Sequence, residues 1–217
     1  MIDLHMHTTF SDGKNHIIEM IEVAESLGLR KIAITDHIWR TSEWFDEYYG
    51  IIKEENQKRE IEILVGFEAK ALSVNGEIDA GEYMCQKADI RIGAIHRIPI
   101  GIEINKFMTR EEVALSSDQA YVNWLTTTQN LIKNENVDIV AHPCMVLYKY
   151  EITPLERDLY DLFILAKEYN TKLEISSRYK RTNKILLKIL EQYPVFCNYI
   201  SYGSDAHSIE DLKKVHG

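Results

Sequence analysis

Several features that mark particular classes of protein are missing from this sequence. The three cysteines, Cys85, Cys144 and Cys197, are scattered and odd in number, which argues against a disulfide framework and favours a reducing, cytoplasmic setting. No apolar run reaches the length of a membrane span, and the N-terminus lacks the basic-then-apolar layout of a signal peptide. Acidic residues outnumber basic ones by 34 to 25, so neither a membrane nor a nucleic-acid partner is expected.

The pattern of apolar residues along the chain predicts one globular α/β domain spanning residues 1–217. Apolar, strand-like runs alternate with segments of helical periodicity. Strands are expected near residues 2–4, 31–35, 61–67, 90–95, 137–141, 172–175 and 199–201, and helices near 17–27, 42–58, 109–133 (with room for an interruption), 154–169 and 183–192. A hairpin is expected over 69–80, around the turn signal Asn75-Gly76. Repeated β-then-α units predict a parallel sheet, open or closed, that is covered by helices.

Two short pairs of potential metal ligands lie near the ends of the chain, in His5-Met6-His7 and Asp205-Ala206-His207. Side chains two residues apart in a strand share a face, so each pair can present both ligands together. Further candidates lie at or after the other predicted strands, at Asp12, His37, Glu68, His96 and His142. The C-terminal ends of parallel strands lie on one face of the sheet, where active sites form.

Six of the eight histidines and three acids therefore belong to one expected metal site. Only His16 and His216 fall outside it, as helix-surface residues. Nine ligands are too many for one ion and suit two or three. Imidazole mixed with carboxylate favours Zn, Mn or Fe over Ca or Mg. Clustered ions of this kind generate a hydroxide nucleophile near neutral pH and clamp phosphoryl oxygens.

The order of these motifs resembles that of the PHP (polymerase and histidinol phosphatase) superfamily. The matching segments are His5-x-His7 with its continuation Thr8-Thr9-Phe10-Ser11-Asp12-Gly13, Thr35-Asp36-His37, Gly66-Phe67-Glu68, Ala94-Ile95-His96, Ala141-His142-Pro143 and Ser204-Asp205-Ala206-His207. The resemblance covers essentially the whole chain. It implies a distorted, TIM-barrel-like (β/α)7 barrel with a trinuclear metal site at the C-terminal face of the strands.

The resemblance also implies how the ligands divide among three ions. The first ion would be held by His5, His7, Glu68 and Asp205. The second would be held by Glu68, as a bridge, with His96 and His142. The third would be held by Asp12, His37 and His207. Some phosphatase members have His where Asp12 stands.

The expected activity is hydrolysis of a small phosphomonoester, such as histidinol phosphate, a nucleotide or a sugar phosphate, by a hydroxide that bridges two metals. The expected catalytic residues are Glu68, Asp205 and Asp36, and Asp36 either orients a ligand histidine or caps its loop. Arg178 and Arg97 are candidates for binding the substrate phosphate, because a guanidinium forms bidentate bonds with phosphate oxygens. Arg178 also begins a basic run, residues 178–181, that could meet an anionic ligand.

Two other functions stay open at this point. A 3′-5′ exonuclease or phosphodiesterase acting on nucleic acid is known among polymerase-associated members, although the length and acidic charge of this chain count against it. A non-catalytic domain that senses metal or phosphate is the other alternative, and the complete set of ligands counts against that.

Overall fold

The apolar runs of the sequence form eight strands in the computed structural model, which describes residues 1–217. The strands are β1 (Ile2–Asp3), β2 (Lys31–Ile34), β3 (His37–Ile38), β4 (Glu62–Lys70), β5 (Ile90–Ala94), β6 (Ile139–Val140), β7 (Lys172–Ser176) and β8 (Ile200–Gly203). Seven of them follow the order β1-β2-β4-β5-β6-β7-β8, and β3 pairs with β4. All these pairings are parallel, as expected of strands that are joined by helices and buried on both faces.

Helices cover the outside of the strands. They are α1 (Ile17–Ser26), α2 (Phe45–Lys58), α3 (Glu82–Lys87), α4 (Arg110–Leu115), α5 (Ser117–Lys133), α6 (Met145–Lys149), α7 (Glu156–Tyr169), α8 (Lys180–Gln192) and α9 (Ile209–His216). Their apolar faces bury large side chains such as Trp124 and Phe163 against the strands. None of these helices combines the length and the apolar character that crossing a membrane would require.

The barrel closes where the first strand meets the last. The backbone nitrogen of Leu4 donates to Tyr202 O at 3.0 Å, and Met6 and Ala206 form a parallel bridge. The buried carboxylate of Asp3 accepts hydrogen bonds from the backbone nitrogens of His5 and Ser204 at 3.2 and 2.9 Å. Closure therefore brings the two terminal ligand pairs side by side.

The expected α/β barrel is confirmed, with local differences from the predicted elements. The hairpin over 69–80 reduces to a single antiparallel bridge between Ala71 and Ile78, because β4 runs on to Lys70 in the parallel sheet. The helix over 109–133 breaks at Ser116, whose backbone (φ -141°, ψ 56°) leaves the helical region. The elements β3, α3, α6 and α9 were not predicted. His216 is also not a simple surface residue, since its Nε2 lies 2.8 Å from Asp3 Oδ2.

Tyr48 of α2 ties two strand ends together below the face that carries the ligands. Its buried hydroxyl lies 2.6 Å from Ile34 O and 2.9 Å from Gly66 O, and it can donate to either carbonyl. The backbone nitrogen of Asp36 donates to the same oxygen at 3.4 Å. The hydroxyl thus sets the spacing between the end of β2 and the part of β4 that carries Glu68.

Replacing this hydroxyl should weaken the fold. We expect Tyr48→Phe to lower the free energy of unfolding by about 1–3 kcal/mol, because buried carbonyls lose their donor. Urea unfolding of metal-depleted protein, followed by circular dichroism, measures the loss. Tyr49→Phe is the matched control, since that ring lies half-buried on the same helix beside Lys53 and Lys87. Equal stability of the two variants would show that the Tyr48 hydroxyl has no structural role.

Candidate metal centre

All nine predicted ligands lie together at the C-terminal end of the barrel. β3 and β4 carry two of them directly, and the segments that follow β1, β5, β6 and β8 carry the others. Eight of the nine form three overlapping groups, and within each group the ligand oxygens and nitrogens all lie within 4.8 Å of one another. The groups are His5, His7 and Asp205; His7, Asp12, His37 and His207; and His37, Glu68 and His96.

Glu68 occupies the middle of this cluster. Its Oε1 lies 3.1 Å from the Nε2 atoms of both His96 and His142. Its Oε2 lies 2.9 Å from His37 Nδ1 and 3.5 Å from His5 Nε2. A buried carboxylate that contacts rings from four strand ends is placed to bridge metal ions. His142 belongs to none of the three groups but shares its contact with Glu68 Oε1 with His96. The assignment of each ligand to a particular ion stays a prediction.

The arrangement of hydrogen-bonding atoms fits divalent metal ions. His5 Nδ1 lies 2.6 Å from Glu174 Oε1 and therefore donates its proton there, which leaves a lone pair on Nε2 when the ring is neutral. That Nε2 faces His7 Nε2 at 3.1 Å and the carboxylates of Glu68 and Asp205 at 3.5 and 4.0 Å. Converging lone pairs repel one another unless a cation lies between them. Mixed imidazole and carboxylate donors suit zinc, manganese or iron.

Unpartnered buried nitrogens support the same conclusion. The Nδ1 atoms of His7 and His142 are buried and have no hydrogen-bond partner in the protein. Buried polar atoms without a partner are rare in folded proteins and are expected to bind a group that the protein chain does not provide. Both nitrogens belong to rings of this cluster, where metal ions would be bound.

The electrostatics favour the metal-binding forms of Glu68 and His7 but not of every ring. Burial alone would raise the pKa of Glu68, but the charges of His96 and His5 and hydrogen bonds from His142 and His37 bring that pKa well below its ordinary value. Burial lowers the pKa of His7 to about 4, so its ring is neutral at physiological pH. An ionised carboxylate and a neutral imidazole are the forms that donate lone pairs to a metal.

Burial would lower the pKa values of His5, His37 and His142, but the carboxylate of Glu68 and, for His5, also that of Glu174 raise them. A metal ion must therefore displace a proton from these three rings.

Two ligands adopt a strained backbone conformation. Asp205 has a φ of 54° and His142 a φ of 28°, both in the left-handed region that non-glycine residues seldom occupy. The Asp205 backbone nitrogen donates to His5 O at 2.9 Å, and that of His142 donates to Glu174 Oε2 at 2.9 Å. Such strain persists only where surrounding contacts enforce it, and it is typical of functional sites. Here it directs two ligands into the cluster.

Glu174 is a functional residue that the sequence analysis missed. It lies buried in β7 and holds both the His5 ring and the His142 backbone. Gly203 makes room for it, because a Cβ at that position would collide with the Glu174 carboxylate and with His5 Cβ. The available signal was a glutamate between the apolar residues Leu173 and Ile175 of a predicted strand.

Of the two roles expected for Asp36, orienting His37 is wrong, because its carboxylate bonds elsewhere. Its carboxylate accepts hydrogen bonds from the backbone nitrogen and hydroxyl of Thr8, at 2.8 and 2.7 Å, and from those of Ser11, at 3.1 and 2.6 Å. His37 instead faces Glu68 and lies 3.6 Å from Asp12. Asp36 therefore caps the loop that leads to Asp12, which is the alternative role considered from the sequence.

The two predicted phosphate-binding arginines have different surroundings. Arg178 Nη1 lies 3.0 Å from Asp205 O and 2.7 Å from His207 Nδ1, at the exposed edge of the cluster. The exposed Arg97 guanidinium lies over the ring of Phe107, 4.9 Å from its centre. Arg178 is thus the one in direct contact with the ligand set.

Glu68→Gln should lower metal content more than any single histidine change. The amide removes the charge that offsets repulsion between neighbouring ions, so more than one ion should be lost. We expect two to three equivalents of transition metal in the wild-type protein and a loss of at least one in the variant, measured by elemental analysis after metal-replete expression. Glu62→Gln, at the exposed start of the same strand, is the control. Full metal content in Glu68→Gln would exclude the bridging role.

Glu174→Gln should weaken metal binding without removing a ligand. A glutamine has one acceptor oxygen, so it cannot accept from both His5 Nδ1 and the His142 backbone nitrogen. Loss of such a supporting contact typically lowers metal affinity about 10–100-fold. Competition with a chromophoric chelator measures this affinity, with Glu168→Gln on the exposed side of α7 as the control. Unchanged affinity would show that Glu174 has only a packing role.

Comparisons with known proteins agree with the geometry. The family model described as PHP domain matches residues 3–178. The chain is 32% identical over 220 residues to a protein named probable phosphatase from Caldanaerobacter subterraneus subsp. tengcongensis, covering 98% of this chain and 78% of the relative. It is 31% identical over 229 residues to the DNA polymerase/3′-5′ exonuclease PolX of Bacillus subtilis, covering 97% of this chain but only 35% of that protein.

A solved structure shows the same fold. It is histidinol phosphate phosphatase from Lactococcus lactis, complexed with zinc, L-histidinol and phosphate, and it superposes with a TM-score of 0.68 at 19% identity. The superposition covers 99% of this chain and 91% of that one. From the matched family model and the shared sequence identity, the chain belongs to the PHP domain family, the metal-dependent phosphoesterases whose order of motifs it carries.

Proposed function

We propose that the protein is a metal-dependent phosphatase that releases phosphate from a small phosphomonoester, with histidinol phosphate, nucleotides and sugar phosphates as candidates. The observation that carries this proposal is the buried Glu68 carboxylate, which contacts ligand histidines from four strand ends on one face of the barrel. Relatives named probable phosphatases align over 78 to 82% of their own length, which supports a monoesterase.

The centre is proposed to hold two to three ions of zinc, manganese or iron. When bound, these ions would activate water as the nucleophile and neutralise charge on the phosphoryl oxygens. The chain itself contributes Glu68 and Asp205 as ionised carboxylates. Burial would raise the pKa of Asp205, but a hydrogen bond from His7 and then the charges of His5 and His142 lower it. Zinc in the Lactococcus lactis structure supports zinc as one of the candidates.

Arg178 is proposed to bind the phosphate of the substrate. Arginine has only donors, so in the present contact His207 Nδ1 must be the acceptor. When His207 uses Nε2 as a metal ligand, its proton lies on Nδ1 instead, where it can donate to Asp205 O, 2.9 Å away. The guanidinium then loses its contact with His207 and is free to bind phosphate oxygens. Arg97 is the alternative phosphate ligand.

A second candidate function is 3′-5′ exonuclease activity. Its support is the 31% identity to PolX of Bacillus subtilis, since the same type of metal centre can cleave phosphodiesters. Against it stand the small aligned part of that relative, 35%, and the net charge of -9. A sensing domain that does not catalyse is disfavoured because all nine ligand positions are filled by competent residues.

Hydrolysis assays with added Mn or Zn separate these functions, with free phosphate measured for monoesters, p-nitrophenol for the diester and strand shortening for DNA. The panel should contain phosphomonoesters, bis(p-nitrophenyl) phosphate and single-stranded DNA. A phosphatase will hydrolyse monoesters at least tenfold faster than the diester and DNA. Faster cleavage of DNA would instead establish the exonuclease, and metal binding without any hydrolysis would establish a sensor.

Arg178→Lys should reduce turnover while leaving the metals in place. Lysine keeps the positive charge but loses the planar fork, so kcat/KM should fall roughly tenfold to a hundredfold. Metal content and melting temperature should not change. Arg157→Lys, at an exposed position of α7, is the control. If kcat/KM stays within twofold of wild type, Arg178 does not bind phosphate and Arg97 becomes the candidate.

A further inference from the structure

A cavity of about 1040 Å³ opens directly beside the metal centre. Asp205 and Tyr179 line it on the side of the metal ligands, and the Tyr179 ring packs edge-on against His142 with centroids 5.2 Å apart. Its other walls come from α6, α9 and the start of α8. Five cationic side chains line the cavity, namely Lys149 of α6, Arg178 in the turn before α8, Lys180 and Arg181 of α8, and Lys214 of α9.

Most of these charges lack a partner in the protein. No carboxylate oxygen lies within 4.0 Å of the ammonium groups of Lys149, Lys180 and Lys214. Arg181 lies over the ring of Tyr148, 5.6 Å from its centre. Lysines elsewhere, such as Lys31, Lys53 and Lys188, do pair with carboxylates.

Acidic groups do little to neutralise the cavity. Besides Asp205, its only acid is Asp211, whose carboxylate accepts the backbone nitrogen of His207 at 3.2 Å. The whole chain carries a net charge of -9, so this cavity is locally opposite in sign to the rest of the surface. Such a local field attracts and holds anions.

The start of α8 adds a second argument. Lys180 and Arg181 lie in its first turn, where there is neither an acidic residue nor a side-chain cap. Cations at this end oppose the helix dipole and destabilise the helix. A bound anion would interact favourably with both the helix dipole and the unpaired cations. Lys180 and Arg181 are therefore better explained as groups that bind an anion than as groups that stabilise α8.

We propose that this cavity binds a second anionic group of the substrate. The inference rests on the proposed phosphatase function and narrows it to phosphomonoesters whose leaving alcohol carries a carboxylate or a further phosphate. The reacting phosphate is then held at the metal centre with Arg178, and the second anion lies among the other four cations, Lys149, Lys180, Arg181 and Lys214. Histidinol phosphate becomes a poor substrate, because its leaving group carries an ammonium that these cations repel.

Four small phosphate esters test this substrate class. They are phosphoethanolamine with a cationic leaving group, glycerol 3-phosphate with a neutral one, and 3-phosphoglycerate and 1,3-propanediol bisphosphate with anionic ones. We expect kcat/KM for at least one anionic ester to exceed that for glycerol 3-phosphate roughly tenfold or more, with phosphoethanolamine lowest. The two anionic esters distinguish carboxylate from phosphate. The preference should shrink as NaCl is raised, because salt screens exposed charges.

The outcomes separate the inference from the proposed function. Hydrolysis of other phosphomonoesters but of neither anionic ester would overturn the second anion site, whereas hydrolysis of no phosphomonoester at all, with metal bound, would contradict the phosphatase proposal itself. Equal hydrolysis of all four, or a preference for phosphoethanolamine, would overturn the second anion site while leaving the phosphatase intact.

Variants locate the effect in the cavity. Lys180→Gln and Lys214→Gln should each lower kcat/KM for the preferred anionic ester roughly tenfold and leave glycerol 3-phosphate unchanged. Lys184→Gln, exposed on the same helix but outside the cavity, should change neither. Lys180→Glu should raise the melting temperature, since it restores an acid to the helix start, yet impair the anionic ester further. Loss on all esters alike, or on none, would overturn the proposal.

Discussion

Parallel contact between the first and last strands is the constraint on which the metal centre depends. The bridge between Met6 and Ala206 places His5 and His7 beside Asp205 and His207, although about 200 residues separate them. Without this closure the remaining strand ends would present only part of a ligand set. Barrel closure therefore brings pairs of predicted ligands that are distant in sequence to one place. The predicted metal site depends on this contact between the first and last strands.

Two buried carboxylates, those of Asp3 and Glu174, support the closure of the barrel. Asp3 joins the backbones of His5 and Ser204, and Glu174 holds the His5 ring and the His142 backbone. Buried carboxylates are unfavourable unless every oxygen finds a donor, and both of these find them at the ends of strands that carry ligands. The arrangement of the predicted ligands is thus held in place by two carboxylates, Asp3 and Glu174, that are not themselves predicted ligands.

Features that depend on residues close together in the sequence could be predicted from it, whereas contacts between distant residues could not. Strand positions, and the meeting of the nine predicted ligands at one end of the barrel, were predictable, because burial and a two-residue repeat are local properties of the chain. The partner of Asp36 was not, because Thr8 and Ser11 become neighbours only when the β1 loop folds over β2. The role of Glu174 was missed for the same reason, since it depends on the close approach of Gly203. Short elements such as β3 and α9 carry too few residues to show a periodic pattern.

The metal centre and the basic cavity come from different parts of the fold. Strands and their first loop residues build the centre, where burial and mutual contacts leave little freedom to vary. Helix ends build the cavity, with exposed cations that can change without disturbing the core. A fold arranged this way can keep its phosphoester chemistry while selecting different leaving groups through surface charge. In an acidic chain, the local cluster of cations beside the predicted metal centre is the feature on which the proposed selection of an anionic leaving group depends.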